Sequence, residues 1–384
     1  MPKSSSHSRP SGLARLRSKL GLRWRRAGTK TRVTASVAVV VVLAVIVAGV
    51  ISAASTPHRK AAAGSSSTTS TTTTTAPRAK AKAQLCPLTH TPAPHGRVPR
   101  RPALAVKIGN DPASRPQTGL PEADIVYEQM AEGGITRYMA IFQCQEAPVI
   151  GPVRSVRWDD WHELEPYGHP ILAISGGIIP WDNKVASLTW LYDANASEGP
   201  AVGAFYRTSN RVPPWNLYTS SKTLWSLDPN HQPPPPQFSY SKLTPSEATT
   251  AKAATITNFA AGATVQWTWS ARLGVWLRSI GGVPDIDSSG SQLQAKNVII
   301  EMVPTRPGPY AESGTTPDVE SLTVGSGPAW VLRDGKVEKG TWNSAGYADL
   351  THYRFPDGNT MTLTPGNTWV ELVPNQFYPV AIQR

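Results

Sequence analysis

The longest hydrophobic pattern in the chain is a predominantly apolar run over residues 33–54, which contains no charged residue. A helix needs about 20 apolar residues to cross the hydrocarbon core of a bilayer, and this run meets that length. The pattern predicts one transmembrane helix over residues 33–54. A cleaved signal peptide is the alternative, because Ser52, Ala53 and Ala54 are small, although the apolar segment of such peptides usually spans only about 7–15 residues.

Shorter apolar segments, bounded by turn residues, predict a first folded domain over residues 101–245. Short or alternating apolar runs indicate strands, and apolar positions three to four apart indicate helices. Strands are predicted at residues 104–108, 124–128, 135–142 and 171–174. Helices are predicted at residues 158–165, 184–192 and 220–227. This mixture favours a mixed α/β or α+β domain.

Strand patterns dominate the region after four consecutive prolines at residues 233–236, which mark a surface loop or a domain boundary. We expect a connecting helix at residues 246–258 and then a small, mainly antiparallel β domain over residues 246–384. The predicted strands lie at residues 265–269, 275–279, 297–301, 329–333, 352–355, 361–363 and 368–373. The tryptophans of this region are interpreted as core residues, with an aromatic carbohydrate platform as the alternative.

Charge is divided sharply along the chain. Residues 1–101 hold 18 Lys and Arg and no acidic residue, whereas residues 102–384 hold 20 basic and all 26 acidic residues, a net charge of −6. The basic tail, residues 1–32, is typical of the cytoplasmic side of a membrane helix. A nucleic-acid partner is therefore not expected. Residues 55–100 are rich in Ser, Thr, Ala and Pro, which predicts a disordered linker that extends the body away from the membrane.

The chain has two cysteines, Cys86 and Cys144, and both follow the hydrophobic run. In an oxidising, extracytoplasmic compartment they could form a disulfide, and two free thiols are the alternative.

Arginines gather near glycine turns in the first predicted domain. A guanidinium group binds carboxylate or phosphate through paired hydrogen bonds, and glycine turns allow backbone N–H groups to face the same ligand. The sequence therefore predicts an anion-binding site formed by Arg115, Arg137, Arg154, Arg157, Arg207, Arg211 and Asn216.

Three acidic residues lie close to these arginines in the sequence. Glu128 and Glu132 are expected to orient the guanidinium groups. Alternatively, Glu128 and Glu132, or Asp124, act as the acid and base of a hydrolase. A third interpretation is that the arginines and glutamates form internal pairs that hold loops together. The sequence contains no His-Glu-x-x-His, Gly-x-Ser-x-Gly or P-loop motif, so no metal and no cofactor are predicted.

An ordered series of motifs resembles the YerB-like family, which consists of exported, often lipoprotein-type bacterial proteins of unassigned function. In the first domain the motifs are RPQTGL at 115–120, ADIVYE at 123–128, EGGITR at 132–137 and GPVRS at 151–155. In the second domain they are AKNVI at 295–299, DGK at 334–336, GTW at 340–342 and PGNTW at 365–369. The chain departs from the family pattern at Trp215 and near Ile174, where relatives often carry histidine. The resemblance implies a two-domain envelope protein and no particular reaction.

Together these observations predict a membrane-anchored extracytoplasmic binding or adaptor protein of the bacterial envelope. Its N-terminus would be cytoplasmic, and its partner would be a cell-wall polymer or an envelope protein. A wall-modifying hydrolase and a structural spacer without a small ligand are the alternatives.

Overall fold

The computed structural model describes residues 83–242, 245–313 and 316–384. The helices in these residues are α1 (Trp158–Leu164), α2 (Ile179–Ala186) and α3 (Ser221–Trp225). None of the helices described in these ranges is long and apolar enough to cross a membrane, and the predicted transmembrane run at residues 33–54 lies outside the described residues.

Strands make up most of the regular secondary structure in the described residues. Those before residue 245 are β1 (Leu104–Gly109), β2 (Ile125–Met130), β3 (Thr136–Phe142), β4 (Ile171–Ile174), β5 (Tyr192–Asn195), β6 (Tyr206–Arg207) and β7 (Leu217–Tyr218). Those that follow are β8 (Thr249–Thr250), β9 (Ala253–Ala260), β10 (Ala263–Ser270), β11 (Val275–Ile280), β12 (Val283–Pro284), β13 (Gln294–Ala295), β14 (Asn297–Val303), β15 (Thr305–Ser313), β16 (Thr316–Ser321), β17 (Gly325–Arg333), β18 (Lys336–Ser344), β19 (His352–Arg354), β20 (Thr368–Pro374) and β21 (Val380–Gln383).

One large mixed sheet contains strands from both halves of the chain. Its order is β19-β18-β17-β14-β20-β2-β3-β1-β4-β5, and β8 pairs with β18. The late strand β20 lies parallel to both β2 and β14, with Thr368 opposite Ile125 on one side and Asn297 on the other. Part of the predicted C-terminal β region therefore extends the sheet of the N-terminal half.

Both faces of the large sheet are covered, which explains why its central strands read as continuous apolar runs. On one face, Leu104, Val106 and Ile108 of β1 belong to a core shared with the second sheet. On the other face, Ala105 belongs to a core shared with α1 and α2, which contribute side chains such as Trp161 and Trp181. The α1 and α2 helices and the second sheet thus lie on opposite sides of the large sheet.

The second sheet is antiparallel, with the order β12-β11-β10-β9-β21, and β13 pairs with β11. The connecting helix predicted at residues 246–258 is wrong, because β8 and β9 occupy most of this segment. Ile256 of β9 lies between Val265 of β10 and Val380 of β21, so pairing on both sides overrides the helical propensity of this alanine-rich stretch. As predicted for the tryptophans, Trp267 and Trp276 are fully buried.

The helix predicted at residues 184–192 begins and ends earlier, because α2 covers Ile179–Ala186 and β5 starts at Tyr192. Pro180 stands in the first turn of α2, where its missing N–H costs nothing. Tyr192 instead pairs with Ile171 of the parallel strand β4.

A disulfide joins Cys86 to Cys144 and closes a sequence separation of 58 residues. It ties the segment before β1 to the loop after β3. The disordered linker predicted over residues 55–100 is therefore wrong for its last part, because Cys86 is held by this disulfide, Leu88 is fully buried and Leu85 pairs with Pro92. The folded body accordingly begins before the predicted start at residue 101. Separately, β15 and β16 form a two-stranded hairpin that packs on α1 and on the turn at Glu132–Gly134.

Candidate anion-binding site

The carboxyl ends of β1 and β4 lie side by side, and a short extended segment joins them. Arg154 donates its backbone N–H to Lys107 of β1 and accepts from the N–H of Ser175, which follows β4, at 2.9 Å in each case. The N–H of Val156 donates to the carbonyl of Gly176 at 2.9 Å. Ligands of open α/β sheets bind outside the carboxyl ends of the strands, so Arg154 occupies a position where a ligand site is expected.

Glu132 brings two of the predicted arginines together. Its Oε1 is 2.8 Å from Nη2 of Arg137, and its Oε2 is 2.7 Å from Nε and Nη2 of Arg157. Burial opposes ionisation, but the two guanidinium charges hold the pKa of Glu132 below its usual value. Glu132 is therefore ionised at neutral pH, which suits the predicted orienting role and does not suit a general acid.

The side chain of Arg157 is surrounded by acidic residues and is almost fully buried. Its backbone N–H donates to Oδ2 of Asp160 at 2.7 Å, which places Arg157 at the start of α1. From the β15–β16 hairpin, Glu312 lies 3.2 Å from its Nη1, and Asp318 lies 3.7 Å from its Nε. Its side chain is 4 % exposed, so little of the guanidinium group can reach a ligand.

Arg154 differs from its neighbours because its guanidinium group has no partner among the described residues. Nε and Nη1 of Arg154 are buried without a hydrogen bond, although the residue as a whole is partly exposed. Burial lowers the pKa of Arg154, while the carboxylate of Asp111 favours the charged form. A Cβ at Gly109 would overlap Oγ of Ser114 and would lie 3.0 Å from Cγ of Arg154, so glycine leaves the space that these two side chains occupy.

The other predicted arginines hold loops in place. Arg115 donates to the side chain and backbone of Asn110 at 3.0 and 2.6 Å. Arg207 donates to Oδ1 of Asn216 at 2.7 Å. Arg211 donates to the carbonyls at positions 114 and 116 at 2.9 and 2.7 Å. The structure therefore groups Arg137, Arg154 and Arg157 near Glu132 and gives the remaining predicted residues partners in loops, which for Arg211 lie 97 and 95 residues away in the sequence.

The carboxylates proposed for a hydrolase do not share an open cleft. Glu128 is fully buried and accepts from Arg278 of β11 at 2.6 Å, and also from Asn110. Asp124 is buried and accepts hydrogen bonds from the backbone N–H groups of Gln143 and Cys144. Burial raises the pKa of Asp124 to about 6. Neither side chain faces the arginines around Glu132.

Comparison with known proteins identifies the family. Residues 88–232 match the family described as "Protein of unknown function (DUF3048) N-terminal domain", and residues 255–370 match the corresponding C-terminal domain. The chain belongs to this family. It is 28 % identical over 303 residues to "Putative lipoprotein YerB" of Bacillus subtilis (strain 168), which covers 77 % of this chain and 88 % of that protein. The family resemblance noted in the sequence is confirmed.

A solved structure supports the fold. The crystal structure of YerB from Bacillus subtilis matches with a TM-score of 0.64 and 22 % identity, and the match covers 78 % of this chain and 99 % of that chain. At this level of identity the likeness shows a shared fold alone.

The two YerB-like regions meet at a second polar site that the sequence interpretation missed. A pocket of about 30 Å³ is lined by Glu163 of α1 and Glu301 of β14, with Tyr353 donating to Glu301. Burial and then the charge of Glu301 raise the pKa of Glu163 to about 8, and burial raises that of Glu301 to about 7. Glu163 and Glu301 are far apart in the sequence, and no local pattern predicts that they lie close together in the fold.

Proposed function

We propose that the chain is an envelope binding protein whose Arg154 side chain holds a carboxylate or phosphate group of a wall polymer or of an envelope partner. The similarity to a protein named a lipoprotein supports a membrane-anchored position in the envelope. The apolar run at residues 33–54 supports an anchor, and the Ser/Thr-rich sequence between that run and residue 82 would give the body reach.

The unpartnered guanidinium group of Arg154 carries the proposal. A buried donor without a partner costs about 1–3 kcal/mol, and a charged donor costs more. An anionic ligand would remove this cost and add charge-assisted hydrogen bonds. Arg137 and Arg157 are already paired with Glu132, and Glu312 and Asp318 also lie against Arg157, so these two arginines add little net charge. The expected ligand is therefore a single anionic group held by Arg154.

The test is co-sedimentation of a fragment spanning residues 79–384 with purified wall sacculi, with inorganic phosphate as a competitor. We expect the unchanged fragment to pellet and Arg154→Gln to remain in the supernatant. The matched control is Arg272→Gln, which removes the same charge from an exposed turn between β10 and β11. Equal pelleting of Arg154→Gln and the unchanged fragment would refute the site, provided that circular dichroism shows both to be folded.

A second candidate function rests on Glu163 and Glu301. A carboxyl group that stays protonated at neutral pH can give its proton to a leaving oxygen, while an ionised partner takes a proton from the attacking water. A groove of about 380 Å³ shares Phe238 and Tyr353 with the pocket of these two residues. In this second candidate, Glu163 and Glu301 take the acid and base roles that the sequence analysis offered to Glu128 and Glu132.

Soluble wall fragments measured in the same tubes distinguish the two candidates. A hydrolase would release fragments, Glu163→Gln would abolish the release, and Arg154→Gln would not prevent the chemistry on soluble fragments. Absence of both pelleting and release would favour a spacer or a protein partner.

A further inference from the structure

Two histidines and an aspartate converge away from both sites described above. His169 lies just before β4, and Asp228 and His231 lie in the loop after α3. Nε2 of His169 is 3.2 Å from Oδ2 of Asp228, and Nε2 of His231 is 3.1 Å from Oδ1. One possible ligand atom from each residue lies within 4.8 Å of those of the other two.

The spacing of these atoms agrees with the first coordination sphere of a metal ion. Zinc binds nitrogen and oxygen at about 2.0–2.1 Å in tetrahedral geometry, which separates neighbouring ligand atoms by about 3.3 Å. The two nitrogen–oxygen distances here are close to that value, and each joins a histidine to a different oxygen of Asp228, so the carboxylate must turn to present one oxygen to the ion. All three side chains are partly exposed, with 29 % of His169, 17 % of Asp228 and 37 % of His231 open to solvent, so an ion can enter from one side.

We propose that His169, Asp228 and His231 bind one divalent transition-metal ion of the zinc type, with the remaining position open to water. Two imidazoles exclude calcium and magnesium, which prefer oxygen ligands, and suit zinc, nickel or copper. The two rings are stacked with centroids 3.7 Å apart and 14° between their planes. Binding therefore requires the rings to tilt apart until both Nε2 lone pairs point at the ion.

At this position a bound metal ion would connect two separate parts of the fold. His169 leads directly into β4 of the large sheet, whereas His231 stands immediately before the proline segment at residues 233–236. That segment continues into Gln237 and Phe238, which line the pocket of Glu163 and Glu301. A bound ion would therefore link the start of the proline segment to the large sheet through His231 and His169. This inference does not depend on the Arg154 site.

The experiment uses the full-length chain with a tag that contains no histidine, stripped with EDTA and dialysed. Zinc is titrated against a chromophoric chelator, and bound metal per chain is also counted by elemental analysis. We expect one zinc ion per chain, with affinity at least tenfold weaker in His231→Ala and in the nearly isosteric Asp228→Asn. His352→Ala removes another exposed histidine and should bind as tightly as the unchanged chain.

Thermal melting in EDTA checks that the variants fold, and the same melting with zinc should show stabilisation only in chains that keep the three ligands. Magnesium at millimolar concentration should not displace the zinc. Less than one equivalent of zinc bound at micromolar concentration would overturn the proposal. Equal affinity in Asp228→Asn and the unchanged chain would also overturn it, because it would place the zinc elsewhere.

Discussion

Arg278 should be among the least replaceable side chains of the body, because it joins the two sheets through buried charge. Its Nη2 donates to Glu128 of β2 at 2.6 Å, and its Nη1 pairs with Asp285. Its Nε lies 4.0 Å from Glu371 of β20, which also accepts from Trp267 at 2.7 Å. Replacing Arg278 with methionine keeps most of the volume and removes the shared cation.

The expected loss of stability follows from the buried carboxyl groups that remain after Arg278 is removed. Burial and the neighbouring Glu128 raise the pKa of Glu371 well above its usual value, so this carboxyl already tends to carry a proton. Glu128 and Asp285 lose their cation, and removing one partner of a buried pair costs about 3–5 kcal/mol. With a urea m-value of about 3 kcal/mol/M, the unfolding midpoint should fall by roughly 1 M or more. The double variant Arg278→Met/Glu128→Gln should lose less than the sum of the two single losses.

The assay is urea unfolding of residues 79–384, followed by tryptophan fluorescence. Arg272→Met is the control, because Arg272 lies in an exposed turn between β10 and β11 and its replacement removes the same charge. A substitution at such an exposed position changes stability little. A fall of less than about 0.3 M for Arg278→Met, or a fall equal to that of Arg272→Met, would refute the reasoning, as would strict additivity in the double variant.

Two further predictions concern the whole body. Reducing the Cys86–Cys144 disulfide should lower the free energy of unfolding by about 3–4 kcal/mol, because the bond closes a loop of 58 residues; urea unfolding with and without reductant measures this, and no change would contradict it. The pKa of Glu163 is raised to about 8 in the folded chain, from a usual value of 4.5. The folded chain therefore holds a proton that the unfolded chain has lost, and this contribution to stability disappears as pH rises from about 4.5 to about 8. Melting temperature should fall between about pH 5 and 8 more steeply in the unchanged chain than in Glu163→Gln, and parallel pH profiles would count against a protonated Glu163.

Local patterns were enough to predict most individual strands and the grouping around Glu132. The strand at Leu104 follows from a short apolar run between turn residues. Glu132 and Arg137 flank the same glycine turn, so their contact joins residues that are close in the sequence. The 246–258 segment was misassigned because its alanines favour a helix locally, while pairing with β10 and β21 decides the outcome.

Other contacts could not have been predicted because they join residues that are far apart. Arg278 and Glu128 are separated by 150 residues, and the sequence around neither residue predicts a contact with the other. The arginines of the first half also look equivalent in the sequence. Only packing shows that Arg157 is covered by a hairpin from the second half, whereas Arg154 keeps free donors.

The central place of β20 has a consequence for the order in which the body can assemble. This strand lies at Thr368–Pro374, far after β2 in the sequence, yet it separates β2 from β14 in the middle of the large sheet. During synthesis from the N-terminus, the edge of β2 stays without its neighbour until β20 has been made. Completion of the sheet is therefore a late step that depends on pairing across a long sequence separation, and a truncation that removes β20 would be more damaging than its length suggests.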